Sequence, residues 1–313
     1  PLCATLAAAT AAGQLDRRRG HCRTLVVFSS QGFALVMANL VALLSVTAIA
    51  DQPPSVHTAW RLCSGMGALL ALMALAVFLQ VPKQAHAPQA AAPSTWAIIW
   101  GNRWRLLGTG GSWFLFDAAF YANSLFTSRV LQLVFGTEGD LWTVFAHNLL
   151  VTAVPLLGFV ISGAYLWATD WSIRALQIAG FLGMAATYLG MAIWLDTVQG
   201  SRLLFLGLYT LTFLFANAGP NSTTFILPTV VYPEDIRATC HGISAAAGKI
   251  GAVLGSAAME PLLTAYGLRM VLFICGGLGL LGTIVTVLFI APDPPTQYHV
   301  VHTDELPVPV ASE

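Results

Sequence analysis

Charge is scarce in this chain of 313 residues: 14 Lys and Arg balance 14 Asp and Glu, charged residues make up 9% of the whole, and the formal net charge is zero. No block of like charges stands anywhere, which argues against a nucleic-acid or acidic partner. The five cysteines, Cys3, Cys22, Cys63, Cys240 and Cys275, are odd in number and lack metal-ligand spacing. They read as small core residues, with no metal site implied. A Ser/His/Asp nucleophile arrangement and a soluble catalytic domain are also missing, so the sequence reads as a non-enzyme that calls for no cofactor. The chain opens on Pro1 instead of Met, and its first dozen residues are apolar without a basic leading region. They read as the tail of a helix and not as a signal peptide, which sets the expectation of a fragment.

What the chain has instead is apolar bulk. Hydrophobic residues are 57% of it and the mean hydropathy is +0.73, values that place it as an all-α polytopic, integral multi-pass membrane protein with the lipid bilayer as partner. Apolar runs predict spans near 24–50, 57–81, 105–128, 141–168, 174–195, 202–232, 239–263 and 268–290. Pro155 and the pair Gly219-Pro220 interrupt two of these, and broken helices in membranes line protein-filled or wet space. Alternate loops carry Arg17, Arg18, Arg19, Arg23, Lys83, Arg103, Arg105, Arg174 and Arg237 against Arg61, Arg129, Arg202 and Arg269. The richer side is expected to be cytoplasmic. The Ala/Pro-rich stretch Pro82-Lys-Gln-Ala-His-Ala-Pro-Gln-Ala-Ala-Ala-Pro93 reads as a linker between two bundles, and the tail from Pro292 as disordered.

One acid sits inside an apolar span, in Gly108-Thr-Gly-Gly-Ser-Trp-Phe-Leu-Phe-Asp-Ala-Ala-Phe-Tyr121. Trp113, Asp117 and Tyr121 are four apart, so a helix puts an indole, a carboxyl and a phenol on one face over about 12 Å. Depth can be counted from the cytoplasmic charges. Asp117 follows Arg105 by 12 residues and Lys249 follows Arg237 by 12, so each is ~18 Å deep, near the middle of a core of about 30 Å. Asn221, 13 residues before Glu234 on a returning helix, lies at nearly the same depth, and Gln31, eight after Arg23, at ~12 Å. An acid, a base and two amides at matched depth are what a substrate and ion site requires. Snorkelling does not explain Lys249, because its side chain reaches only about 6 Å. A purely structural Asp–Lys pair, amides serving only as interhelical partners, and Trp113 and Tyr121 acting as packing residues remain open alternatives. His147 and Asn148 fall near the outer end of their span, as does Glu260. The glycines around Lys249 include the pair Gly251-x-x-x-Gly255, which permits close helix approach, and form no Walker loop.

Four stretches carry a resemblance: Leu107 to Tyr121; Ala218-Gly-Pro-Asn-Ser-Thr-Thr-Phe225; Tyr232-Pro-Glu-Asp-Ile-Arg-Ala-Thr-Cys-His-Gly-Ile-Ser-Ala-Ala-Ala-Gly-Lys249; and Arg19-Gly-His-Cys-Arg-Thr-Leu-Val-Val-Phe-Ser-Ser-Gln-Gly32. In this order the chain resembles the proton-coupled inorganic phosphate symporters of the major facilitator superfamily. The resemblance implies proton-coupled phosphate uptake by alternating access in the plasma membrane, with inorganic phosphate and a proton as partners. It carries phosphate binding onto Gln31, Trp113, Tyr121, Asn221 and Lys249, proton coupling onto Asp117, and inner-loop gating onto Asp170 and Arg174. It also implies a major facilitator fold in which 1–81 is the remainder of an N-terminal bundle, 82–104 a cytoplasmic linker, 105–291 a six-helix C-terminal bundle and 292–313 a disordered cytoplasmic tail. That family has twelve helices, the fourth ending Gly-Gly-Asp-Tyr-Pro-Leu-Ser and followed by Ser-Glu. Here the chain begins Pro1-Leu2-Cys3-Ala4-Thr5 and has Thr10-Ala-Ala-Gly13 in place of Ser-Glu, so helices one to three and most of four are expected to be absent. Transport of another solute, a sugar or organic anion, and a truncated phosphate-binding or regulatory role are the competing expectations.

Overall fold

The computed structural model describes residues 14–49, 55–80, 95–136, 141–169 and 172–292, and every regular element among them is a helix. Residues 1–13, the linker from Pro82 to Pro93, Asp170 and the tail beyond Pro292 lie outside the described residues. The helices are α1 (Gln14–Ile49), α2 (Ser55–Gln80), α3 (Thr95–Gly101), α4 (Arg103–Phe135), α5 (Leu141–Ala153), α6 (Leu156–Ala168), α7 (Ile173–Ile193), α8 (Leu195–Gln199), α9 (Arg202–Ala218), α10 (Pro220–Val231) and α11 (Glu234–Phe289).

Prolines and glycines set the breaks. Pro155 has no N–H to continue the ladder, and the chain turns there from α5 into α6. α10 starts on Pro220, where a missing N–H is harmless, after Gly219 leaves helical geometry at φ −130, ψ −105. α11 runs for 56 residues but bends at Gly267, with φ 75 and ψ 173, a conformation essentially reserved for glycine, so it is two spans back to back. Part of the expected linker is ordered: α3 packs Ile98 against Leu106, Tyr232, Ile236 and Cys240.

Among the described residues five segments are long and apolar enough to cross a membrane: Gly20–Ser45, Trp142–Ala168, Ile173–Ile193, Arg202–Val231 and Asp235–Phe289. Eight spans were expected from the sequence. The last segment counts for two because of its bend, α2 contributes only the shorter apolar stretch Ser64–Ala76 among the described residues, and α4, although 33 residues long, is diluted by the Gly, Ser, Thr, Asp and Asn residues of its middle. Large apolar side chains face outward along these helices, among them Leu203 and Leu288 at 83% and 67% exposure. A lipid environment makes that inexpensive, and it also means that the interior is held by close packing more than by escape from water.

Packing fixes the direction of each helix. Thr109 meets Ser244, Trp113 meets Gly248, Phe114 meets Gly251 and Ala118 meets Gly255, so α4 and the first arm of α11 run parallel in a constant register. Cβ atoms added at Gly251 and Gly255 would collide with the carbonyl oxygens of Phe114 and Ala118, which is the backbone-to-backbone approach that the Gly-x-x-x-Gly pair foretold. α1 runs against α6, with Gly32 on Leu156 and Phe159 and Gly163 on Leu25. One end of the bundle gathers the starts of α4 and α7 and the end of α11, where Arg174 donates to the Val287 carbonyl at 2.9 Å. The other end carries Arg129–Glu260 at 3.8 Å and Arg269–Asp196 at 2.7 Å. The two ends thus separate Arg103, Arg105, Arg174 and Arg237 from Arg129 and Arg269, as the loop charges predicted, and the first end is the cytoplasmic one by the positive-inside rule.

Candidate functional site

The parallel register of α4 and α11 brings the acid and the base together. Lys249 Nζ lies 3.1 Å from Asp117 Oδ2 and 3.2 Å from the Tyr121 hydroxyl, and 4.7 Å from the centroid of the Tyr121 ring. The carboxylate is enclosed at 3% side-chain exposure while the lysine is 61% exposed. An exposed ammonium anchored on a sealed carboxylate keeps donors free for an incoming anion. The Trp113 indole adjoins the carboxylate from one turn below.

Trp113 belongs to an aromatic layer drawn from four helices. Its ring stands edge-on to Phe225 of α10 at 6.2 Å and to His241 of α11 at 5.8 Å. Phe225 in turn meets His241 at 5.2 Å and Phe28 of α1 at 4.6 Å. Gln31 is three residues beyond Phe28, Asp117 four beyond Trp113, Lys249 eight beyond His241, and Asn221 four before Phe225 on the antiparallel helix. Gln31, Asp117, Tyr121, Asn221 and Lys249 therefore lie one or two turns to the outer side of a ring in this layer, of which Trp113 is itself a member.

The amides are placed near the site without joining the ion pair. Asn221, buried, donates to Asn217 Oδ1 at 2.8 Å. Asn217 donates to the Pro155 carbonyl at 3.0 Å, so it ties the α9/α10 break to the α5/α6 break. Ser162 donates to the Ala218 carbonyl at 2.8 Å and Ser222 to the Asn217 carbonyl at 2.6 Å, which satisfies acceptors that the broken helix leaves open. Gln31 is half-buried on α1 and makes no hydrogen bond among the described residues.

Sequence reasoning passed over Phe28, Phe225 and His241, although each shares a helix face with a residue it selected. His241 is fully buried, and its Nε2 pairs with the Phe225 carbonyl at 3.0 Å while Nδ1 has no partner among the described residues. Asn148 donates to Ser128 at 2.7 Å, joining α5 to the outer part of α4. A separate cavity of about 130 Å³, lined by Ala118, Ala122, Met259, Val271, Cys275 and Leu278 among others, is apolar and offers an anion nothing to bind. Among the described residues no group of His, Cys, Asp and Glu could hold a metal ion.

This arrangement, with broken helices and an ionisable pair deep in a multi-pass helical bundle, defines a transporter-like membrane fold. The fold is that of the major facilitator superfamily: a solved proton:xylose symporter of that superfamily, bound to 6-bromo-6-deoxy-D-glucose, superposes with a TM-score of 0.67 at 16% identity, covering 92% of this chain and 67% of that one. Residues 94–292 match the sugar (and other) transporter family, and the chain belongs to it. Similar proteins include the probable inorganic phosphate transporter 1-12 of Oryza sativa subsp. japonica, 30% identical over 83% of this chain and 61% of that protein. The probable inorganic phosphate transporter 1-6 of Arabidopsis thaliana is 30% identical over 83% and 62%. The probable inorganic phosphate transporter 1-8 of Oryza sativa subsp. japonica is 39% identical over 60% and 38%. The chain thus spans about three-fifths of the length of the first two relatives.

Proposed function

We propose that this chain carries the substrate site of a proton-coupled inorganic phosphate symporter. The observation that carries the reading is the sealed Asp117 carboxylate bound to an exposed Lys249 ammonium at mid-depth, and the names of the relatives supply the anion. Phosphate binds to Lys249 and the Tyr121 hydroxyl, with the Trp113 indole and the amides of Asn221 and Gln31 as neutral donors; Asn221 exchanges its bond to Asn217 for one to the anion. Once Lys249 turns to phosphate, the Asp117 carboxylate is buried without its counter-ion and binds a proton. Charge balances through the step: Asp⁻ with Lys⁺ becomes AspH with Lys⁺ and dihydrogen phosphate, so one proton accompanies each monoanion. The aromatic layer closes the cytoplasmic side until the bundles rock about the site. Arg174, with Asp170 of the same inner loop, latches the cytoplasmic end.

A second reading, transport of a sugar, is favoured by the family's description and by the ligand of the structural neighbour. The cation at mid-depth weighs against it, since a neutral solute needs no Lys. Uptake of radiolabelled phosphate into proteoliposomes under an imposed pH gradient tests both. Phosphate should accumulate against its gradient, and Lys249→Met should abolish uptake. Asp117→Asn should retain phosphate exchange but lose the response to the gradient. Unchanged proton-driven uptake in Asp117→Asn would remove the coupling role, and competition by sugars but not by phosphate would favour the second reading.

A further inference from the structure

The tryptophans along α3 and at the start of α4 serve neither the site nor the core. Trp96, Trp100 and Trp104 recur every four residues, and the bond from the Asn102 N–H to the Ile98 carbonyl at 3.1 Å and from the Leu106 N–H to the Asn102 carbonyl at 2.8 Å makes α3 and α4 nearly one rod. All three rings therefore lie along one face, and they are 69%, 60% and 60% exposed. The opposite face, Ile98 and Leu106, is buried against α11. Between two of the rings sits Arg103, its Cζ 5.0 Å from the Trp100 centroid and 5.6 Å from that of Trp104. Its Nη1 donates to the Trp100 carbonyl at 2.8 Å. Five N–H groups are available to a guanidinium, so most remain free in a plane held still by the rings. Among the described residues neither Arg103 nor the exposed Arg105 meets a carboxylate.

The face is continuous with the lipid-facing surface. Trp104 stacks on Phe289 at 5.8 Å with the planes 8° apart, and the adjoining Leu107 and Leu288 are 42% and 67% exposed. A Trp ring is apolar with one polar edge, which suits it to the headgroup boundary, where these rings stand at the cytoplasmic end of the spans. An Arg clamped among them at that depth is aimed at phosphate oxygens. A protein partner has no such support, because the surface runs straight into the bilayer core.

We propose that Trp96, Trp100, Arg103 and Trp104 form a binding site for the headgroup of an anionic phospholipid of the cytoplasmic leaflet, which anchors the end of the helix that carries Asp117. This goes beyond the transport reading and stands whether or not phosphate is the solute. The test is lipid retention by the purified chain, measured by native mass spectrometry after mixing with equal amounts of phosphatidylglycerol and phosphatidylcholine. The chain should retain phosphatidylglycerol preferentially, and Arg103→Gln should cut that preference about fivefold, the factor expected for one basic residue near an anionic surface. Arg103→Lys, which keeps the charge and loses the planar stack, should give an intermediate value, and Trp100→Leu, at a position 60% exposed, should weaken retention. Arg129→Gln, at the other end, should change nothing. Equal retention of the two lipids overturns the proposal, as does an Arg103→Gln variant that keeps the preference. Displacement of the lipid by millimolar inorganic phosphate also overturns it, by making the arginine a site for free anions.

Discussion

Lys249 Nζ and Asp117 Oδ2 are 3.1 Å apart, yet one side chain is 61% exposed and the other 3%. Removing either partner therefore has unequal consequences. Lys249→Met strands a buried carboxylate, which should cost about 2 kcal/mol, below the range for a fully buried pair because the lysine end is wet. Asp117→Asn leaves an ammonium that can turn to solvent, and should cost less than about 1 kcal/mol. The double variant should recover most of the loss of Lys249→Met. Thermal unfolding in detergent reads the order; equal destabilisation by the two single variants would contradict the asymmetry.

That pair was legible in the sequence because equal offsets from Arg105 and Arg237 on two helices of the same direction fix equal depth. Depth is a property of one helix at a time, whereas contact depends on how helices are rotated about their axes. His241 shows the difference: four residues after Arg237 it should be shallow and wet, but Phe225 and Trp113 fold over it and leave it fully buried. Asn221 was expected at the level of the pair, and its partner in the structure, Asn217, is set by the break at Gly219, whose exit angle no periodicity encodes. The Pro155 and Gly219-Pro220 breaks were legible because they are covalent facts of the residues. The bend at Gly267 falls in the gap expected between the spans 239–263 and 268–290, although its geometry, at φ 75 and ψ 173, is a backbone detail that apolar runs do not encode.

Close approach of α4 and α11 depends on what is missing at two positions. Gly251→Ala places a methyl against the Phe114 carbonyl, a backbone atom that cannot swing aside. Overpacking of this kind costs about 1–3 kcal/mol, and it should lengthen the Lys249–Asp117 contact and lower phosphate uptake in parallel. Gly242→Ala, on the same arm with nothing within 4 Å of the added carbon, should be neutral or stabilising by up to about 1 kcal/mol through helix propensity. Similar losses for both would show that loss of glycine flexibility, and not the contact, is responsible.

Phe225 is the ring that holds the aromatic layer together, since it touches Phe28, Trp113 and His241. Phe225→Ala should open the space between the proposed site and the cytoplasmic end and cost about 3 kcal/mol, as expected for truncating a packed aromatic. A cysteine introduced at Tyr121 reports on it in inside-out vesicles, where a membrane-impermeant maleimide should label Tyr121→Cys several-fold faster when Phe225→Ala is also present. The labelling is done with Cys3, Cys22 and Cys63 replaced by serine, since Cys22 is only half-buried, whereas Cys240 and Cys275 are buried and supply little background. Unchanged labelling would mean that the layer does not separate the two compartments.

Arg174 closes the other extremity of the same end. In a helix finishing at Phe289 the Thr286 carbonyl still accepts from the Ile290 N–H at 3.2 Å, and the carbonyls from Val287 onward are left without intrahelical partners. Arg174 supplies Nη2 to Val287 at 2.9 Å and Nε to Thr286 at 3.5 Å, while Gln177 Nε2 reaches Thr286 Oγ1 at 2.9 Å. A cation at a helix C-terminus also opposes the negative end of the dipole, and the two effects together are worth about 1 kcal/mol at a partly exposed site. Hydrogen exchange in the last turn should therefore quicken about fivefold in Arg174→Ala. Arg174→Lys, with the charge but not the fork, should fall between the two. Gln177→Leu should affect the same amides, and because both side chains act on Thr286 the double variant should lose less than the sum of the single losses. If exchange at 286–290 is indifferent to Arg174 while uptake still falls, the arginine acts through the inner loop and not by holding the end of α11.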